Sequence, residues 1–167
     1  MRRTIGIVMA VGLLLSLGAL PAAAQTTITF RSILHETFER RASAEPCIQD
    51  EEAGTFTCPG SGTVQGFGQV SSSIVFTEDS AIRTLTFSDG STLLLAEDEF
   101  ISFDTPGGSS EAPGAQVSFG NPFFFRVTWV VVGGTGMFED ATGSGTQVVQ
   151  AAGDVLNIKM IGTVTLA

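Results

Sequence analysis

Apolar and polar residues alternate with a period of two along most of the chain from Thr27 onwards. β-branched residues and Phe supply the apolar positions, and clusters of Gly, Asp, Ser or Pro interrupt the alternation about every ten residues. Almost no segment after residue 26 has the apolar spacing of an amphipathic helix. The pattern therefore predicts an all-β domain built from antiparallel strands.

The interruptions delimit about eight strands. Asp89-Gly90 separates two alternating runs and predicts a tight hairpin. Pro122 interrupts the most apolar run and requires a bend, a bulge or a sheet edge there, because proline cannot donate to a ladder. Short strands with short connections fit a closed up-and-down barrel or a two-sheet sandwich. The predicted strands are 27–38, 55–66, 68–76, 81–87, 91–103, 116–132, 145–151 and 154–166.

The first 24 residues have the three parts of a secretory signal peptide. Arg2 and Arg3 precede an apolar run over residues 5–20, and the small residues 22–24 follow it. We expect cleavage after Ala24 and export to the periplasm or the cell exterior, since the run is short for a membrane anchor. The domain organisation is then a signal peptide, 1–24, and one β-barrel or sandwich domain, 25–167, with no later membrane-spanning segment.

The chain carries 17 acidic residues against eight basic ones, and removal of the signal peptide leaves six basic residues and a formal charge near −11. Such a surface repels the phosphates of nucleic acids and of anionic lipids, so nucleic acid is not an expected partner. Cys47 and Cys58 are the only cysteines. In an exported chain we expect them to form a disulfide. Two cysteines and one distant histidine are too few for a metal centre, so no metal or cofactor is expected.

Candidate chemistry is limited to a few charged side chains. His35 is the only histidine, and no serine or cysteine has the context of a nucleophile, so we expect no catalytic triad. Period two puts Glu97 and Glu99 on one face of a predicted strand and Asp98 on the other, so at least one of these carboxylates would approach the barrel lumen or its mouth. There a carboxylate could act as a general acid or base, although a solvated strand end explains the same residues.

The predicted strand after Pro122 is apolar on both faces. Phe123, Phe125 and Trp129 share one face, and Arg126 lies on the other. If Arg126 faces the lumen it needs Glu97 or Glu99 as a partner, and if it faces solvent it needs no explanation. The sequence leaves open which face is inside. The candidate ligand-pocket residues are accordingly Glu97, Glu99, Arg126, Phe123, Phe125 and Trp129.

The segment 133–146 reads GGTGMFEDATGSGT and predicts a sharp reversal between two strands. We expect Gly133, Gly134, Gly136 and Gly143 to supply positive-φ positions and Phe138 to plug the barrel end. The segment resembles the signature of the allene oxide cyclase and dirigent barrel-like superfamily. The closing segment 162–165 resembles the terminal strand of that group, and residues 62–68 fit its bacterial members.

The resemblance implies an eight-stranded antiparallel barrel with an apolar interior, in a group whose plant members form oligomers. The cyclases steer ring closure of an unstable epoxide by pocket shape with a glutamate and bound water, and the dirigent proteins are secreted and orient phenoxy radicals. No functional residue carries over, because the matching motif is a turn without a catalytic group.

Three functions follow as expectations. The first is an exported barrel that binds a small apolar ligand without catalysis. The second is a cyclase-like or dirigent-like isomerase acting on an apolar or phenolic metabolite. The third is a structural component of the envelope or exterior, in which the chain could form a homo-oligomer through the apolar face around Trp129.

Overall fold

The computed structural model describes residues 25–37, 47–105, 108–109, 123–152 and 155–167, without the side chains of residues 37, 98–105, 108, 109 and 123. The predicted signal peptide and the bend at Pro122 lie outside these residues.

Strands account for nearly all of the described chain. Their bounds follow the predicted runs to within a few residues, except that the strand predicted from residue 116 is described only from Phe123. A single 3-10 turn, Gly136–Phe138, follows one of them. The strands are β1 (Thr26–Thr37), β2 (Ile48–Asp50), β3 (Thr55–Val64), β4 (Gly68–Phe76), β5 (Ala81–Phe87), β6 (Thr92–Thr105), β7 (Gly108–Ser109), β8 (Phe123–Thr135), β9 (Thr142–Ala152) and β10 (Val155–Leu166).

The sheet closes on itself. In the described residues the order of hydrogen-bonded neighbours is β1-β10-β9-β8-β6-β5-β4-β3, and β1 also pairs with β3. All of these pairings are antiparallel. The short β2 extends from β3, and β7 pairs with β6. This ring of eight strands confirms the predicted up-and-down barrel and excludes the sandwich.

Every strand of the ring contributes side chains to the barrel interior. Period-two alternation points one row of each strand inward, and the inward rows are mostly apolar. Trp129 is fully buried, and its ring packs edge-on against Phe30 at 5.5 Å between centroids. Gly145 and Gly162 make room for it, because a Cβ on either would lie 2.4–2.5 Å from the indole.

Phenylalanine closes one end of the barrel. Phe138 is fully buried, with ring centroids 4.6 Å from Phe87 and 5.6 Å from Phe67, so the three rings pack together at this end. The backbone can turn inward here because Gly136 adopts φ +62°.

The expectation that all four glycines of the turn segment have positive φ was wrong. Gly136 does, but Gly133, Gly134 and Gly143 do not. Gly134 and Gly143 are instead points of close approach, where an added Cβ would lie 2.5 Å and 2.2 Å from backbone oxygens.

The predicted disulfide joins Cys47 to Cys58 with a Cα–Cα distance of 4.2 Å. Cys58 is fully buried on β3, so the bridge fixes the segment that leads into β2 to the wall of the barrel. The bond is of the kind that persists in oxidising compartments.

The predicted hairpin at Asp89-Gly90 joins β5 to β6. The Asp89 carboxylate accepts hydrogen bonds from the Ser91 backbone N–H at 3.0 Å and from the Ser91 hydroxyl at 2.8 Å. The Ser91 Oγ in turn accepts a bond from the Met137 N–H at 3.2 Å. The hairpin is thereby tied to the turn segment that carries Phe138.

The hydrogen bonds from Ser91 hold the pKa of Asp89 below its ordinary value of 3.8. A carboxyl group whose pKa is lower in the folded than in the unfolded protein stabilises the fold at pH values above its unfolded-state pKa. This stabilisation is lost as the pH falls through its folded-state pKa. We expect Asp89→Asn to be less stable than wild type at neutral pH, and the difference to shrink below pH 3.8. Urea unfolding at a series of pH values measures the difference in the free energy of unfolding between wild type and variant. Asp79→Asn, at another exposed turn, is the control. A difference that does not change with pH would contradict this explanation.

Candidate functional site

A buried polar cluster crosses the barrel lumen around Arg83 of β5. Its Nε donates to Oε1 of Glu97, on β6, at 2.6 Å. Its Nη1 donates to Glu36 Oε1, on β1, and to Ser72 Oγ, on β4, at 3.0 Å. The Ser72 hydroxyl also donates to Glu36 Oε1 at 3.0 Å, and Gln147 Nε2, on β9, donates to Glu97 Oε2 at 2.6 Å. Four strands of the ring thus meet at the guanidinium, and a fifth, β9, joins the cluster through Glu97.

Strand alternation places these polar groups inside. Arg83 is in phase with the buried Leu85 and Phe87, and Glu36 is in phase with the buried Leu34. The side chains of Arg83 and Glu36 are 2% and 0% exposed, whereas that of Glu97 is 8% exposed. Glu97 is therefore the carboxylate nearest to solvent.

The cluster is not electrically balanced and its hydrogen bonds are incomplete. Two carboxylates face one guanidinium, which leaves a formal charge of −1 when both acids are ionised. Within the described residues, Glu36 Oε2, Gln147 Oε1 and Ser32 Oγ are buried without a hydrogen-bond partner. A buried acceptor without a donor costs about 1–3 kcal/mol, so a donor such as a water molecule or a ligand hydroxyl would stabilise the cluster.

The structure shows which face of β8 lines the lumen. Trp129 is fully buried and Phe125 packs partly buried against the core, whereas Arg126 is exposed on the outer face. The Glu97–Arg126 pair considered from the sequence is therefore not formed. Glu97 does reach the lumen, but its partner is Arg83. The side chains of Glu99 and Phe123 lie outside the described residues.

Sequence reasoning missed four members of the cluster, namely Glu36, Ser72, Arg83 and Gln147. The phase of the strand alternation could have identified two of them as buried. Arg83 occupies the phase of Leu85 in a seven-residue alternating strand, and Glu36 occupies the phase of Leu34. A charged residue in the apolar phase of a strand indicates a buried ion pair.

The other residues considered for chemistry lie apart from the cluster. His35 is exposed on the outer face of β1, where Nδ1 is 2.7 Å from Oδ1 of Asn157. In the described residues, no three His, Cys, Asp or Glu side chains are grouped so that they could hold a metal ion. No helix in the described part of the chain is long and apolar enough to cross a membrane.

Comparison with solved structures identifies the class of barrel. The chain superposes on the structure of a pterocarpan synthase dirigent protein with a TM-score of 0.52 and 13% sequence identity, over 92% of this chain and 99% of that one. No family model matches the sequence, and no curated protein matches it. The protein has a dirigent-like β-barrel fold, as the resemblance of the turn segment predicted.

Proposed function

We propose that the protein binds a small, mostly apolar molecule in the barrel lumen through a hydroxyl group that donates to the Arg83 cluster. The observation that carries this proposal is the pair of buried acceptors, Glu36 Oε2 and Gln147 Oε1, which have no donor within the described residues. A ligand hydroxyl would supply the donor, and the apolar wall of the barrel would hold the remainder of the molecule.

The two ends of the barrel differ in a way that favours access from one side. Phe67, Phe87 and Phe138 close one end. The cluster lies toward the other end, where the inward rows include the small Ala81 and Ala151 beside Phe56 and Phe76, whose ring centroids are 6.4 Å apart. Glu97 is directly paired with Ala81 and is the most exposed acid of the cluster. We infer that a ligand approaches past Ala81.

The charge of the cluster limits the chemistry of the ligand. Its formal charge of −1 disfavours an anionic ligand, because a second negative charge would be brought into a medium of low dielectric. A neutral molecule that offers a hydroxyl donor satisfies both the charge and the hydrogen bonds. Phenols and other hydroxylated apolar compounds fit this description.

Native mass spectrometry of protein purified from its own host, followed by extraction of any bound compound, tests the proposal. We expect a stoichiometric neutral hydroxylated compound with wild type and with Gln150→Leu, which alters the outer side of β9. We expect the compound to be lost from Gln147→Leu, which removes one free acceptor, while circular dichroism shows a folded barrel. A ligand-free wild-type protein would contradict the proposal.

A second candidate is catalysis on the same class of molecule. It is favoured by the pair of carboxyl groups, Glu36 and Glu97, that flank one guanidinium in an apolar lumen, since such groups can donate or accept protons. Mass analysis of phenolic compounds incubated with the protein distinguishes the candidates. Binding alone returns the compound unchanged, whereas catalysis returns an isomer or a coupled product.

We further propose that the protein acts after export. The disulfide between Cys47 and Cys58 and the signal-like residues 1–24 support this location. Amino-terminal sequencing of the protein recovered from outside the cytoplasm should begin at Gln25.

A further inference from the structure

The charges of this acidic protein are separated between two sides of the barrel. Four basic residues lie in the described part of the chain, and one of them, Arg83, is in the lumen. The other three, Arg31, Arg126 and Lys159, are all exposed on the outer face formed by β1, β8, β9 and β10. The only carboxylate in these four strands is Glu36, which points inward. This outer face, which we call the basic face, is cationic although the chain carries a net charge of −9.

A groove of about 580 Å³ runs along the basic face where β1 passes between β3 and β10. Arg31 is directly paired with Ile161, and Ile33 is directly paired with Lys159. The two cations are therefore diagonal neighbours, close enough for their long side chains to converge on one anion. Neither forms an ion pair within the described residues.

Apolar side chains line much of the rest of the groove, beside the polar Thr63 and Gln65. Ile33 and Ile161 are 47% and 50% exposed, and the half-buried Val148 is paired with Lys159 on its far side. Two exposed isoleucines on adjacent strands form a continuous apolar surface around the ammonium group. A groove of this volume is in the range of small-molecule sites.

We propose that the groove binds a single anionic amphiphile, with its head group on Arg31 and Lys159 and its hydrocarbon chain along Ile33, Ile161 and Val148. The charge of the occupant follows from two cations that share their face with no carboxylate among the described residues. Its apolar part follows from the exposed isoleucines. The side chains that would hold this occupant are on the outward rows of their strands, so the proposal does not depend on the function proposed in the lumen.

The source of the amphiphile follows from the charge of the whole molecule. A membrane rich in anionic lipids would repel the acidic remainder of the barrel, whereas a free molecule samples only the local field of the groove. We therefore commit to a free fatty-acid-like anion rather than a bilayer surface.

Isothermal titration of the mature protein with dodecanoate below its micellar concentration tests the proposal. We expect saturable binding at one site. The variant Arg31→Gln/Lys159→Gln should weaken it by at least about tenfold, because charge-assisted hydrogen bonds are lost. The variant Ile161→Ser should weaken it as well. The matched control Arg126→Gln, on the same face but outside the groove, should leave the affinity within about twofold.

Four outcomes would overturn the proposal. Dodecanol could bind as tightly as dodecanoate, which would remove the role of the cations. The Arg31→Gln/Lys159→Gln variant could bind like wild type while remaining folded by circular dichroism. Binding could occur only to vesicles that contain phosphatidylglycerol, which would make the groove a membrane contact. Sedimentation could show a dimer that the same variant abolishes without any binding of dodecanoate, which would make the occupant a second copy of the chain.

Discussion

Replacing Arg83 with Met is expected to lower the free energy of unfolding by about 3–5 kcal/mol. The side chain is 2% exposed and is the sole cation in contact with Glu36 and Glu97 among the described residues. Methionine keeps much of the volume but leaves two carboxylates facing each other in the lumen without compensation. Breaking a buried ion pair from one side costs far more than an exposed pair contributes.

Urea unfolding monitored by circular dichroism measures this loss. The matched control is Arg126→Met, the same substitution at an exposed arginine, for which we expect a change within about 0.5 kcal/mol. The triple variant Arg83→Met/Glu36→Leu/Glu97→Leu should recover much of the lost stability, because it removes the whole charged group. A single variant as stable as wild type would show that the cluster does not form as described.

The second large effect is expected for Trp129→Ala, with a loss of about 3–5 kcal/mol. The indole is fully buried and fills the space above Gly145 and Gly162, whose missing side chains leave no other atoms to occupy it. Its Nε1 also donates to the backbone oxygen of Thr146 at 3.2 Å. The substitution opens a cavity that two glycines cannot refill.

Denaturant unfolding followed by far-UV circular dichroism is the suitable measurement, since Trp129 is the only tryptophan and its fluorescence is lost with it. Val132→Ala on the same strand is the control, because Val132 is 53% exposed and points outward. We expect the control to stay close to wild type. Equal midpoints for the two variants would contradict the assignment of Trp129 to the lumen.

The fold was predictable from the sequence because its signals are local. Period-two alternation gave the strands, the Asp89-Gly90 step gave the hairpin, and two cysteines gave the disulfide. Periodicity alone did not distinguish a closed barrel from a two-sheet sandwich. The turn segment around Phe138 favoured the barrel by resemblance, and the solved dirigent structure agrees with that fold.

The site was only partly predictable because partners in a barrel are chosen by register. Alternation left open whether Glu97 or Asp98 faces the lumen, and it could not show that Arg83 rather than Arg126 lies beside Glu97. That choice depends on how strands are staggered around the ring, which no single strand encodes. The pairing of β6 with β8 also shifts register after Glu97, so the phase of Glu97 does not extend reliably to Glu99.

The pairing of β1 with β10 can form only after β10 has been synthesised. The first strand makes twelve residue pairs with the last strand but only five with β3. A chain that emerges amino-terminus first therefore holds β1 and β9 as open edges until β10 has also emerged. Open edges invite pairing with other chains, so release of an incomplete chain is the step at which this protein is most exposed to aggregation.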